Sequence, residues 1–178
     1  MGKTTLCNAL IKAWGLEETA HVTEVARKVM ADRGYTRNDV PRIEMQRDIM
    51  LAHIHDERRA RADTPGLVLC DRSAIDPVVY SILTSSDEQN AHERRDQLIQ
   101  MDEFQYILPF YRQSLFLLLE PVEEWVVDDG IRMIEHLPAC FKLFQATLRS
   151  LGIEYHVIGK DTKPISERVA VVTKLVGF

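Results

Sequence analysis

The chain has 178 residues, 46% of them hydrophobic and 28% charged, with a net charge of −5. This suits one domain with a substantial core; the acidic balance argues against broad nucleic-acid binding, and no apolar run nears the ~18 residues a membrane helix requires. Cys7, Cys70 and Cys140 are far apart and odd in number. They have no metal-type spacing and form no disulfide framework, so a reducing, cytoplasmic setting is expected.

The chain opens on Met1-Gly2-Lys3-Thr4-Thr5 and passes straight into a helical pattern, with Leu6, Leu10 and Trp14 spaced four apart and Gly15 as a stop. That apolar stretch is short and interrupted by Asn8 and Lys12, unlike a signal peptide. A short β-like piece, His21-Val22-Thr23, runs into a helix that starts at Glu24 and ends near Gly34. Pro41 opens a long helix to about Ala62, whose Arg58-Arg59-Ala60-Arg61 tail suits the negative end of a helix dipole and reads as a solvated face. His53 and His55 lie on it two apart, a spacing that does not bring them together on a metal.

After Pro65-Gly66, the run Leu67-Val68-Leu69-Cys70 predicts a strand buried on both faces, with Asp71-Arg72-Ser73 at its end. Asp76-Pro77 starts another helix. A helix is predicted from about Glu88 to Ile107, ended by Pro109, and a second buried strand over Ser114 to Leu119. Beyond Glu120-Pro121 lies a polar stretch with Trp125, expected to pack there with purine stacking as the alternative, and Asp128-Asp129-Gly130-Ile131-Arg132. A helix from about Leu137 to Leu151, a strand from Ile153 to Ile158 and a helix from Ile165 to Leu175 follow. Alternating strands and helices predict a single α/β domain over 1–178, a three-layer parallel sheet flanked by helices. Chemistry in such sheets sits beyond the strand C-termini. Glu24, Asp71-Arg72 and Glu120 all fall at or near those ends.

Gly2-Lys3-Thr4 matches the last three positions of G-x-x-x-x-G-K-[ST]. In that motif the glycine lets backbone N–H groups approach phosphate, the lysine adds a charge to the β- and γ-phosphates, and the threonine hydroxyl meets Mg²⁺. The following helix points its positive end at the same anion. The rest of the motif, and the strand that delivers it, would precede Met1, so a domain truncated at its N-terminus is expected.

Four segments in order, Gly2-Lys3-Thr4-Thr5, Thr23-Glu24-Val25-Ala26-Arg27, Asp71-Arg72-Ser73-Ala74-Ile75-Asp76 with Tyr80, and Asp128-Asp129-Gly130-Ile131-Arg132, resemble the NadR-like branch of P-loop kinases and ATPases. Its relatives are nicotinamide riboside, deoxynucleoside and thymidylate kinases. The resemblance implies ATP and Mg²⁺ as cofactors, and a missing first strand at the centre of the sheet, between the Leu67 and Ser114 strands. It implies that Gly2, Lys3, Thr4 and Thr5 hold the nucleotide and that Thr4 and Asp71 hold the metal. Lys3, Glu24, Asp71, Arg72 and Arg132 would be catalytic, and Glu24, Arg27, Asp76 and Tyr80 would meet the acceptor. Glu24 would take the proton of the attacking hydroxyl or hold the substrate sugar; a helix-start glutamate favoured by the dipole is the alternative. Arg72 would meet a phosphoryl oxygen, or else form a structural ion pair with Glu24 or Asp76. Asp71 would orient Mg²⁺ or cap a turn. Arg132 would close a region at about 121–135 over the phosphates, or be an ordinary loop arginine.

The activity implied is ATP-dependent phosphorylation of a nucleoside or ribosyl-nicotinamide, with no nucleic-acid or membrane partner. Two alternatives stay open: a nucleotide-dependent switch acting through a protein partner, and an inactive relative. No N/T-K-x-D guanine reader occurs in the chain.

Overall fold

The computed structural model describes residues 2–122 and 137–177. Trp125, Asp128, Asp129, Gly130 and Arg132 lie outside the described residues. Helix α1 (Lys3–Trp14) buries Leu6, Cys7 and Leu10 and ends where Gly15 turns left-handed (φ 63) and returns its N–H to the Ile11 carbonyl. Strand β1 (His21–Val22) leads to α2 (Ala26–Arg33) and the long α3 (Ile43–Asp63). Strand β2 (Leu69–Cys70) precedes α4 (Ile75–Leu83), α5 (Glu88–Ile99) and α6 (Asp102–Gln113). Strand β3 (Phe116–Leu119), α7 (Leu137–Ser150), β4 (Tyr155–Ile158) and α8 (Ile165–Val176) complete the order. No described helix is long and apolar enough to cross a membrane.

The largest core cluster joins α3, α4, α5, α6 and α7 around Met50, Ile75, Val78, Leu98, Phe104, Ile107 and Leu148. A second cluster, with Val25, Met30, Val40, Met45 and Ile49, seals α2 against the first half of α3. At about 25 cal/mol per Å² of apolar surface removed from water, such burial is the main force holding these helices together.

Two expectations are corrected. The helix predicted from Glu88 to Ile107 is two helices, and Pro109 lies inside the second instead of ending it. Met101 is extended (φ −62, ψ 137), and Asp102 and Glu103 then give α6 an acidic first turn, a favourable start for a new helix. The break lets Leu98 and Phe104, both fully buried, enter one core from two directions. Pro109 is on the exposed side with Gln105, so the carbonyl it deprives of an amide is open to water.

The single parallel sheet is instead two parallel ladders among the described residues. His21 and Val22 pair with Leu69 and Cys70, and Phe116–Leu119 pair in register with Tyr155–Ile158. No ladder joins β2 to β3. The strands expected to be sealed on both faces are half-buried, because each ladder is only two strands wide. Helix α1 spans the seam: Leu6 and Leu10 cluster with Leu69 of β2, Leu117 and Leu119 of β3, Ile158 of β4 and Val172 of α8.

Candidate functional site

Gly2 adopts a left-handed conformation (φ 65) as the residue before α1, and no side chain caps the helix start. Glycine suits that conformation because it carries no Cβ. Helix geometry gives the first-turn amides no internal acceptor, so this end of α1 favours an anion. On the first turn, the Thr4 hydroxyl donates to Asp71 Oδ2 at 2.5 Å. Asp71 directly follows β2, is 2% exposed, and its own N–H donates to the Val22 carbonyl at 2.8 Å. The two parallel strands thus deliver this carboxylate to the helix start.

The residue after Asp71 departs from ordinary backbone geometry. Arg72 has φ 86, the one positive φ of a non-glycine residue described. This conformation costs about 1–2 kcal/mol and is held by side-chain grips. Arg72 Nη1 lies 2.7 Å from Asp76 Oδ1, and Nε lies 3.3 Å from Glu24 Oε1. Burial alone would pull the guanidinium's pKa down; Asp76 and Glu24 outweigh it and hold the pKa above its ordinary value. Asp76 also accepts from the Ser73 N–H at 3.1 Å. Tyr80, one turn along α4, lies within reach of the Arg72 charge. The Ala74 N–H donates to Tyr111 Oη at 3.0 Å, and the Tyr111 hydroxyl donates to Glu57 Oε1 at 2.6 Å. A buried relay from α3 and α6 thereby fixes the loop after β2.

Two thiols mark how close the parts lie. Cys7, one turn into α1, is pushed up to about 12 by burial and then by Asp71, with Lys3 opposing. Cys140 on α7 is pushed up to about 11 by burial and then by Asp76, against Lys3 and Arg72. The Lys3 ammonium therefore acts on the same region as Asp71, Asp76 and Arg72. Beside it opens a cavity lined by the charged Glu24, Arg72 and Asp76 and by the apolar Met30, Met45 and Ile49.

The structure brings Lys3, Thr4, Asp71, Arg72, Glu24, Asp76 and Tyr80 into one neighbourhood. Thr5 is exposed on α1, and Arg27 is exposed on α2 and outside the cavity lining. Glu120 follows β3 and accepts from the Lys160 N–H at 2.9 Å. Sequence reasoning missed three residues. Gln46 and His53 line the cavity, and Glu57 anchors the relay. With Ile49 they follow one stripe of α3, at 46, 49, 53 and 57, the signal that marks an inward face.

A family model described as an AAA domain matches residues 1–168. No curated protein matches the chain, and no solved structure does.

Proposed function

The chain belongs to this AAA-domain family, a nucleotide-binding domain of the P-loop NTPase type, and from that premise we propose that it moves the γ-phosphoryl group of ATP to a hydroxyl of a small nucleoside-like acceptor, as in the NadR-like kinases. The observation that carries the proposal is the Thr4–Asp71 bond at the uncapped start of α1, beside a cavity lined by Glu24, Arg72 and Asp76. A phosphate site and a hydroxyl-binding site adjoin.

The residues fit a magnesium ion. A hydroxyl and a buried carboxylate offer hard oxygen donors, and no group of three or more His, Cys, Asp or Glu is placed for a metal among the described residues. Mg²⁺ is commonly held by one or two protein oxygens, with waters and phosphates completing the shell. When bound, it would neutralise developing charge on the phosphates. Thr4 and Asp71 would hold it, and Gly2, Lys3 and Thr5 would meet the nucleotide. The acceptor oxygen bonds to the γ-phosphorus, the bond to the β–γ bridging oxygen breaks, ADP leaves, and the acceptor proton passes to Glu24. Arg72 orients Glu24 through their ion pair. Asp76 and Tyr80 line the acceptor side, with Arg27 at its margin, and Arg132 adds positive charge late. A further apolar strand lying between β2 and β3 completes the sheet in this reading; the half-buried faces of both strands support it.

One observation favours a nucleotide-dependent switch instead: Arg72 spends its guanidinium on Glu24 and Asp76. The test is transfer of label from [γ-³²P]ATP to a panel of nucleosides, with Mg²⁺ and with EDTA. Acceptor-dependent labelling that is lost with EDTA and falls at least about hundredfold in Glu24→Gln is expected. Hydrolysis indifferent to every acceptor would establish the switch, and no turnover at all an inactive relative.

A further inference from the structure

His53 occupies the inner wall of the acceptor cavity, on the stripe of α3 that also presents Met45, Gln46 and Ile49. It is 0% exposed, yet neither ring nitrogen has a hydrogen-bond partner. Buried polar atoms are rarely left so, and each such orphan calls for an explanation. Burial holds the imidazole below its ordinary pKa. It is therefore neutral near pH 7, with one nitrogen a donor and the other an acceptor.

The cavity lining is mixed: Glu24, Arg72 and Asp76 supply charge suited to hydroxyls, and Met30, Met45, Ile49 and Pro77 supply apolar wall. Methionine walls adapt to a flat ring and make favourable sulfur–aromatic contacts. Gln46 gives its side-chain N–H to the Val40 carbonyl at 2.7 Å, which pins that wall, whereas both His53 ring nitrogens are without a partner. Sugar hydroxyls match Glu24, Arg72 and Asp76, and a flat heterocycle matches the apolar wall and offers donors and acceptors to the imidazole.

Resting on the kinase reading for the identity of the cavity, we infer that His53 determines acceptor specificity by hydrogen-bonding the ring of a flat heterocycle whose attached hydroxyls face Glu24 and Arg72. A site built to hydrogen-bond discriminates strongly against ligands that cannot, because its own buried groups stay unpaired.

The test measures binding without ATP, so that it stands apart from catalysis. Adenosine, uridine and methyl riboside, which carries no base, are titrated by calorimetry into the full chain, His53→Phe and His53→Gln. At least one base-bearing ligand should bind the parent chain. Its affinity should fall about tenfold in His53→Phe, the loss of one hydrogen bond, and recover in part in His53→Gln. Methyl riboside should be indifferent to both changes. In the unaltered chain, the His53 imidazole nitrogens should shift on adding that nucleoside in ¹⁵N spectra, a readout that needs no variant to fold. Unmoved nitrogens, equal losses for nucleoside and methyl riboside, or no base-bearing ligand binding would overturn the inference. Tight, His53-dependent binding without phosphoryl transfer would instead sink the kinase reading and leave only the recognition of the ring by His53 standing.

Discussion

The Thr4 hydroxyl and the Asp71 carboxylate meet at 2.5 Å across 67 residues of chain. Asp71 is buried, so taking away its donor leaves a charge poorly solvated. Thr4→Val keeps the side-chain shape and should lower stability by about 1–2 kcal/mol, with Thr4→Ser close to the parent in urea unfolding. The same variant should weaken ATP binding when Mg²⁺ is present and have little effect with EDTA, as calorimetry would read. Asp71, Arg72, Asp76 and Tyr80 were legible in the sequence because a strand end and an i, i+4 spacing place them without knowledge of packing. His53 was not legible. A histidine on a helix shows no sequence partner, and its role depends on α2 and α4 closing over the same cavity. Arg27 shows the reverse: it sits in a recognisable segment but on the exposed side of its helix.

Helices α3 and α6 are tied to the loop after β2 by Glu57, Tyr111 and the Ala74 amide. Burial pushes the Glu57 carboxyl up to about 7, although its hydrogen bond from Tyr111 and the nearby Arg61 both favour the ionised form. The folded chain therefore binds this proton more tightly than the unfolded one does. Its contribution is fully present below pH ~4.5, the ordinary glutamate value, and is lost as pH rises through about 7. Glu57→Gln should accordingly match the parent near pH 5 and exceed it by up to about 3 kcal/mol at pH 8. Urea midpoints across that range, variant minus parent, check the sign; a flat difference would mean that Glu57 ionises normally. Most helices were legible from apolar spacing and glycine stops. The α5–α6 break was not, because it answers to the shared core that Leu98 and Phe104 both enter, while proline was the stronger local signal.

At the scale of the molecule, α1 touches both ladders. Leu10 is 1% exposed and contributes to the cluster holding Leu69, Leu117, Leu119, Ile158 and Val172. Leu10→Ala should cost about 2–5 kcal/mol. Because no backbone ladder joins β2 to β3 among the described residues, it should also speed amide exchange in β2 and in β4 together. Exchange that accelerates in one ladder alone would show that α1 does not couple them. The α/β alternation was legible from the sequence, and so was the parallel direction of the strands. Their division into two pairs was not, since periodicity reports which residues face inward but says nothing about which edges meet.

The doubly gripped Arg72 changes how mutagenesis of this region must be interpreted. Truncating it strands two largely buried acids that had shared one counter-ion, and buried charges left without a partner are costly to the fold. An inactive alanine variant would then report a displaced Glu24 as readily as a lost phosphate contact. Replacing Asp76 with Asn in the same chain separates those outcomes, because it removes one of the two stranded acids and leaves the Glu24 carboxyl in place.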